Sequence, residues 1–252
     1  PTSDDLKSLA LRNFHPLWLV KLFAEEFGLD ATKEILAFDN TEPPLCLRVN
    51  LLKTTREKIL SELKDFAEPS KLAPEGIICK GHGSLDKFQP LRAGFCQVQD
   101  ESSMTAARIL NPQPGEFVID CCAAPGGKAT HLAELMQNRG KIIAADIYET
   151  KLEHIKQNAE RLGIKIIEPL LIDAQIIGKK FPKQADKVLV DAPCSGLGVL
   201  RRKADLRWKK SLEELNELPA LQEKILSSAA ETLKSGGNLL FSTCTIPKRQ
   251  NK

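Results

Sequence analysis

The sequence predicts an α/β protein, a Rossmann-like, doubly wound parallel sheet preceded by a small α+β module. Three observations carry this. From Pro112 onward short apolar runs alternate regularly with helical patterns. The runs lack the polar alternation of half-exposed strands, as parallel strands buried on both faces do. The first of them, "FVID", enters the turn "CCAAPGGK", which opens a helix, and folds of this kind hold ligands beyond the carboxyl ends of their strands. A chain of 252 residues has room for one large domain or two smaller ones, each with a sizeable core.

Taken in order, residues 14–40 place apolar side chains at helical spacing in two short blocks, with Asp30 and Thr32 as cap candidates between them, which predicts two packed helices. "LCLRVN" (45–50) reads as a strand, "TTREKILSELKDF" (54–66) as a helix with a Thr cap, and "GIICK" and "GFCQVQD" as further strands. The expected division is a helical segment over 1–44, an α+β module over 45–110 and the parallel-sheet domain over 111–252. In that domain strands are predicted at 116–121, 141–146, 165–168, 186–191 and 237–243, with helices near 127–137, 149–161 and 212–234. The last helix is expected to stop at the glycines of "KSGG".

Composition narrows the class without naming it. No apolar run reaches about eighteen residues and the amino terminus lacks a secretory pattern, so a cytoplasmic protein with no membrane partner is expected. The formal net charge of +3 permits a nucleic-acid partner without demanding one. Seven cysteines at irregular spacings, with no Cys-x-x-Cys, point neither to a disulfide framework nor to a zinc site. Each taken alone is a small buried thiol, and only context promotes one. The chain starts on Pro and stops at "PKRQNK" just past an apolar strand, so it reads as a piece of a longer protein.

The Gly turn fails two nucleotide patterns. A P-loop needs Gly where Cys122 stands and Ser or Thr where Ala129 stands, and Gly-x-Gly-x-x-Gly is absent. The strand-end carboxylates are more informative. Asp146 ends the second strand about twenty residues after the turn, the spacing at which a carboxylate takes ribose hydroxyls in related folds. Asp173 follows the third strand and Asp191 ends the fourth. Three such carboxylates without a phosphate loop suit an adenosine with a cationic tail, S-adenosylmethionine. Any single Asp among them would serve equally as a turn or helix cap.

Two cysteines have context. Cys194 in "DAPCSGLGVLRR" and Cys244 in "FSTCT" both follow the carboxyl ends of strands expected to be neighbours. Pyrimidine C5 is too weak a nucleophile to take a methyl from a sulfonium directly. A thiolate adding to C6 makes C5 enamine-like, after which methyl transfer and loss of the C5 proton restore the ring. Either cysteine could be that nucleophile on sequence logic alone.

Residues 119–128, 191–208 and 241–245, together with "PPLCLRVN" and "GFCQVQDESSM", resemble the NOL1/NOP2/Sun family of RNA cytosine-5 methyltransferases, and within it the bacterial small-subunit ribosomal RNA enzymes. The similarity runs over nearly the whole chain from about residue 14. It implies that Cys244 is the nucleophile and that Cys194 assists release of the methylated RNA. It implies a cofactor site over Cys122, Ala123, Ala124, Pro125, Gly126, Gly127 and Lys128 with Asp146, Asp173 and Asp191, the last also near the target base. It further implies that 45–110 is an RRM-like RNA-binding module, that the partner is RNA, in the first place ribosomal, and that the protein acts as a monomer. Relatives carry a further helical RNA-binding domain at the amino end, and beyond the Thr-Cys strand an acidic stretch and a final strand pair.

Arg201, Arg202, Lys203 and Arg207 follow the Cys194 loop and are placed to neutralise phosphates, though a solvated surface would look the same. His131 and His154 sit on helix patterns as surface or packing residues, and Cys121 is expected in the core. With one Tyr and two Trp, a large base-stacking platform is not expected. Two rivals remain: a catalytically silent RNA-binding module of the same fold, and an amino-group methyltransferase. The second prefers an Asn/Asp-Pro-Pro-aromatic loop where this chain has Asp191-Ala192-Pro193-Cys194.

Overall fold

The computed structural model describes residues 3–80 and 88–251. They form two compact units: a smaller one of Pro1–Pro43, Pro193–Glu223 and Thr243–Lys252, and a larger one of Pro44–Ala192 and Lys224–Ser242.

In the smaller unit, α1 (Ser3–Arg12), α2 (Leu17–Phe27) and α3 (Leu29–Asp39) bury one apolar cluster. Leu19, Val20, Leu22, Phe23 and Leu36 pack there with Leu197, Leu200 and Leu215. The break between α2 and α3 falls at Gly28 rather than at Asp30 or Thr32. Gly28 has φ of 83° and gives its N–H to Ala24 O, a conformation that costs Gly little. Thr32 lies inside α3 and returns its hydroxyl proton to Gly28 O at 2.7 Å.

The larger unit opens with β1 (Leu45–Val49), α4 (Arg56–Leu63), β2 (Ala67–Pro69), β3 (Gly76–Cys79), α5 (Gln89–Arg92), β4 (Cys96–Val98) and α6 (Glu101–Leu110). The strands make an antiparallel sheet in the order β2-β3-β1-β4. Thr55 caps α4 by accepting from Lys58 N, as its sequence predicts. Period-two alternation splits the sheet's residues between two covered faces. Leu47, Val49, Ile77 and Cys96 pack with Ile59 of α4, while Cys46 meets Met104 of α6 and Arg48 is fully buried. Neither face is left as an open platform. The short β2 and the helices α1, α5 and α6 lie outside the elements predicted above.

A second sheet follows: β5 (Phe117–Asp120), α7 (Gly127–Leu135), β6 (Lys141–Asp146), α8 (Glu149–Leu162), β7 (Ile167–Leu171), α9 (Ile177–Lys180), β8 (Ala185–Asp191), α10 (Leu206–Lys209), α11 (Leu212–Glu231) and β9 (Leu233–Ser242). Its strands are all parallel, in the order β7-β6-β5-β8-β9. Val118, Ile119, Ile142, Ile143, Val188, Leu189 and Val190 are buried without alternation, which is why the apolar runs read as they did. The chain winds outward from β5 to β7 and returns to β8, beside β5. That reversal makes a switch point, with Asp120 ending one strand and Asp191 the other.

One expectation is corrected here. α11 stops at Glu231, and the "KSGG" segment belongs to β9. Ala185 pairs with Leu233 but Lys187 with Asn238, so the intervening residues form a bulge that takes up Gly236 at φ of 81°. The glycines serve that bulge, and a Cβ on Gly237 would press on Leu233, Asp186 and Lys234 within 3.1 Å.

Candidate active site

The Gly turn sits at the carboxyl end of β5. Gly126 has φ of 99°, and a Cβ there would come within 3.2 Å of Ile155 Cα in α8, whereas a Cβ on Gly127 would meet nothing within 4 Å. The first glycine therefore allows close helix packing. The second leaves backbone open to a ligand at a helix start, where N–H groups point outward.

Carboxylates crowd this end of the sheet. Asp146 is buried, and its Oδ1 accepts from Tyr148 N at 3.1 Å. Asp191 Oδ2 takes Lys128 Nζ at 2.6 Å and Oδ1 takes the Ser242 hydroxyl at 2.8 Å. Asp173 is exposed and spends both oxygens on Gln175, one on its backbone N and one on Nε2. Asp120, outside the predicted site, is the most deeply placed. It is fully buried, and burial with the nearby Asp191 charge outweighs the Lys128 charge and the Cys122 N–H and pushes its carboxyl up to about 7. A strand-end search that included β5 would have found it. A site with Asp120, Asp146 and Asp191 around one lysine fits a cationic ligand with ribose hydroxyls.

The seven thiols sort by surroundings. Cys46, Cys96 and Cys121 are buried. Burial holds the Cys96 thiol near 12 and that of Cys121 well above its ordinary value. Cys122 is also pushed up to about 12, first by burial and then by Asp120, Asp146, Asp191 and Asp173. Cys96, Cys121 and Cys122 are therefore not poised as thiolates at neutral pH. Cys194 and Cys244 are different, for their sulfurs stand 3.3 Å apart and Cys244 is exposed. Gly198 N donates to Cys244 O at 3.0 Å, and a Cβ on Gly198 would lie at 3.0 Å from that same oxygen. Behind the pair, the buried Ser195 and Thr245 hydroxyls meet at 2.6 Å, and Gln250 Oε1 accepts from Ser195 N. This lock was not predicted; its sequence signal is a hydroxyl residue directly after each cysteine.

The basic residues divide. Arg202 and Lys203 are exposed. Arg201 lies over the Phe38 ring at 4.5 Å and donates to the Thr41 and Glu42 carbonyls. Arg207 is buried and donates to Asn40 Oδ1 at 2.8 Å and Asp39 O at 2.7 Å. It anchors α10 internally, so a phosphate contact of its own does not fit this arrangement. His131 is packed, as expected. Its Nε2 approaches Glu75 Oε1 to 2.6 Å. Among the described residues no cluster of three or more His, Cys, Asp or Glu could hold a metal, and no helix is long and apolar enough to cross a membrane.

A glycine turn at the switch point of a parallel sheet, ringed by strand-end carboxylates, defines a Rossmann-like methyltransferase. Residues 107–252 match the family described as 16S rRNA methyltransferase RsmB/F, and residues 15–86 match the ferredoxin-like domain of the same proteins. The chain belongs to the RsmB/F family. It is 40% identical to the probable ribosomal RNA small subunit methyltransferase B of Bacillus subtilis, over 98% of this chain and 56% of that one. With the corresponding probable enzyme of Synechocystis it shares 39% identity, over 97% and 56%. The solved structure of NSun6 from Pyrococcus horikoshii with SFG superimposes with a TM-score of 0.86 at 25% identity, covering 93% of this chain and 84% of that one. The chain thus spans about half the length of the curated relatives it matches.

Proposed function

We propose that the protein transfers a methyl group from S-adenosylmethionine to C5 of a cytosine in RNA, in the first place small-subunit ribosomal RNA, through a covalent adduct of Cys244 with C6. The observation that carries this is the thiol pair: two cysteines 3.3 Å apart, one exposed. A nitrogen-directed methyltransferase has no use for them. The Cys244 thiolate forms the S–C6 bond, and C5 takes the methyl as its bond to the sulfonium breaks and S-adenosylhomocysteine leaves. The C5 proton then leaves to a base and the S–C6 bond breaks, with Cys194 serving this last step. S-adenosylmethionine supplies the methyl as a sulfonium. Asp146 holds its ribose hydroxyls, the turn from Cys122 to Lys128 lies against it, and Asp173 and Asp191 complete the site. To reach the base, Asp191 exchanges one of its present partners, Lys128 or Ser242.

In this reading the module 45–110 contacts RNA along its edges and loops, since both faces of its sheet are covered. The target cytosine is taken unstacked, because C5 and C6 must be reached from the face of the ring. Arg202 and Lys203 neutralise phosphates. Replacing both by Gln lowers the slope of log affinity against log salt by about 1 to 2. Filter binding at a series of salt concentrations measures this, and an unchanged slope removes these two residues from the interface.

The direct test incubates the protein with RNA and methyl-labelled S-adenosylmethionine, then digests the RNA and identifies the labelled nucleoside by mass spectrometry. The expected product is 5-methylcytidine. Label on an exocyclic nitrogen, or RNA binding without label, refutes the proposal. Asp146→Ala weakens S-adenosylmethionine binding roughly tenfold to a hundredfold, the loss of about 1.5 to 3 kcal/mol expected for a charge-assisted hydrogen bond. Calorimetry showing unchanged affinity rules Asp146 out as the ribose ligand.

A further inference from the structure

Arg48 is the largest fully buried side chain of the described residues, and it stands on β1 of the antiparallel sheet. A buried guanidinium needs a counter-charge and partners for five N–H donors, and Arg48 has them all. Nε and Nη2 donate to the two oxygens of Glu134 at 3.2 and 2.9 Å. Nη2 also donates to Thr130 Oγ1 at 3.0 Å, and Nη1 to Gly127 O at 2.6 Å and to Gln99 Oε1. Gly127, Thr130 and Glu134 fall at i, i+3 and i+7, on one face of α7. Thr130 in turn passes its hydroxyl proton to Gly126 O at 2.7 Å. Both glycine carbonyls of the turn are thereby tied, one directly and one through Thr130, to a side chain from the other sheet.

We propose that Arg48 is a positioning residue for the cofactor: from the small sheet it fixes the carbonyls of Gly126 and Gly127 and so sets the backbone of the turn that S-adenosylmethionine meets. This rests on the reading that the turn holds that cofactor. The two glycines are the most permissive residues of the loop; Thr130 of their own helix gives its N–H to Gly126 O at 2.9 Å and lies 3.1 Å from Gly127 O through its hydroxyl, and the guanidinium adds the restraint from outside the helix. Lysine cannot replace the restraint. Its three donors radiate from one point and cannot span the Glu134 fork and the Gly127 carbonyl together.

The test compares Arg48→Lys with Arg108→Lys by calorimetric binding of S-adenosylmethionine, thermal unfolding without ligand, and RNA binding. Arg108 makes a comparable two-point contact, Nε and Nη2 with Glu75, and among the described residues it does not hydrogen-bond the turn. Both variants are expected to lose a few degrees of melting temperature, while only Arg48→Lys weakens the cofactor by tenfold or more, with RNA affinity within twofold of wild type. Arg48→Met combined with Glu134→Leu removes the buried charges as a pair, which keeps the fold but takes the guanidinium away from Gly127 O, and is expected to bind the cofactor as weakly as Arg48→Lys. Cofactor affinity within twofold of wild type in either folded variant overturns the proposal, as does an equal loss in Arg108→Lys. If wild-type protein does not bind S-adenosylmethionine at all, the cofactor reading fails and the positioning role falls with it.

Discussion

On the proposed reaction, Cys244→Ser is expected to abolish methylation and to yield no covalent RNA adduct, whereas Cys194→Ser is expected to methylate once and stay attached to its RNA. The reason is that the proposed cycle both makes and breaks a thioether. A serine hydroxyl at its ordinary pKa is a far weaker nucleophile than a thiolate, so without Cys244 nothing begins. Without Cys194 the reaction begins and stalls at elimination. The sulfurs stand 3.3 Å apart and Cys244 N lies 3.3 Å from Cys194 Sγ, so one group can act on the atoms the other has bonded. A denaturing gel of protein incubated with RNA and S-adenosylmethionine reads the outcome: a shifted band for Cys194→Ser that is absent from Cys244→Ser and from the double variant. An adduct in Cys244→Ser and none in Cys194→Ser would assign the nucleophile to Cys194.

Asp120→Asn and His131→Gln shift the pH dependence of stability in opposite directions. Asp120 has a folded pKa of about 7 against 3.8 for the free group, so the native state holds the extra proton. Its contribution is complete below pH about 4 and is lost as pH rises through 7. His131 is held down to about 4 against 6.5, first by burial, which outweighs the pull of the Glu75 carboxylate. Here the unfolded state holds the extra proton. The contribution is present above pH 6.5 and lost as pH falls through 4. At about 1.4 kcal/mol per unit, Asp120→Asn gains about 4 kcal/mol on wild type between pH 4 and 7. By the same conversion His131→Gln loses about 3 kcal/mol against wild type between pH 4 and 6.5. Denaturant titrations across that range measure both. Two variants running parallel to wild type would show that neither group titrates differently on folding. Glu75 is ionised throughout the range, since His131 and Arg108 overcome its burial and hold it near 2.

Much of the fold was legible because its signals are local. A parallel strand buried on both faces shows as a short apolar run wherever it stands in the chain, and β5, β6 and β8 were read that way. The Thr55 cap, the Gly126-Gly127 turn and the Pro-Cys and Thr-Cys segments are likewise fixed by neighbouring residues. Elements without a local signature escaped. β2 is three residues long and is a strand only because β3 offers it an edge. The "KSGG" glycines were assigned to a helix end because a glycine stop and a glycine bulge look alike until the partner strand is known.

By itself the sequence determined the two-sheet order, the turn at the end of β5, the carboxylates at the ends of β6 and β8, and the two cysteines with chemical context, for these depend on residues close together in the chain. Tertiary structure alone decided which groups are buried together. It set Cys194 against Cys244 across fifty residues and turned Arg207 inward to Asp39 and Asn40. It buried Asp120 beside the Asp191 charge and tied Arg48 to a turn about eighty residues away. Burial and pairing are sums over distant segments, and the free energy of a charge is set by what surrounds it rather than by what precedes it.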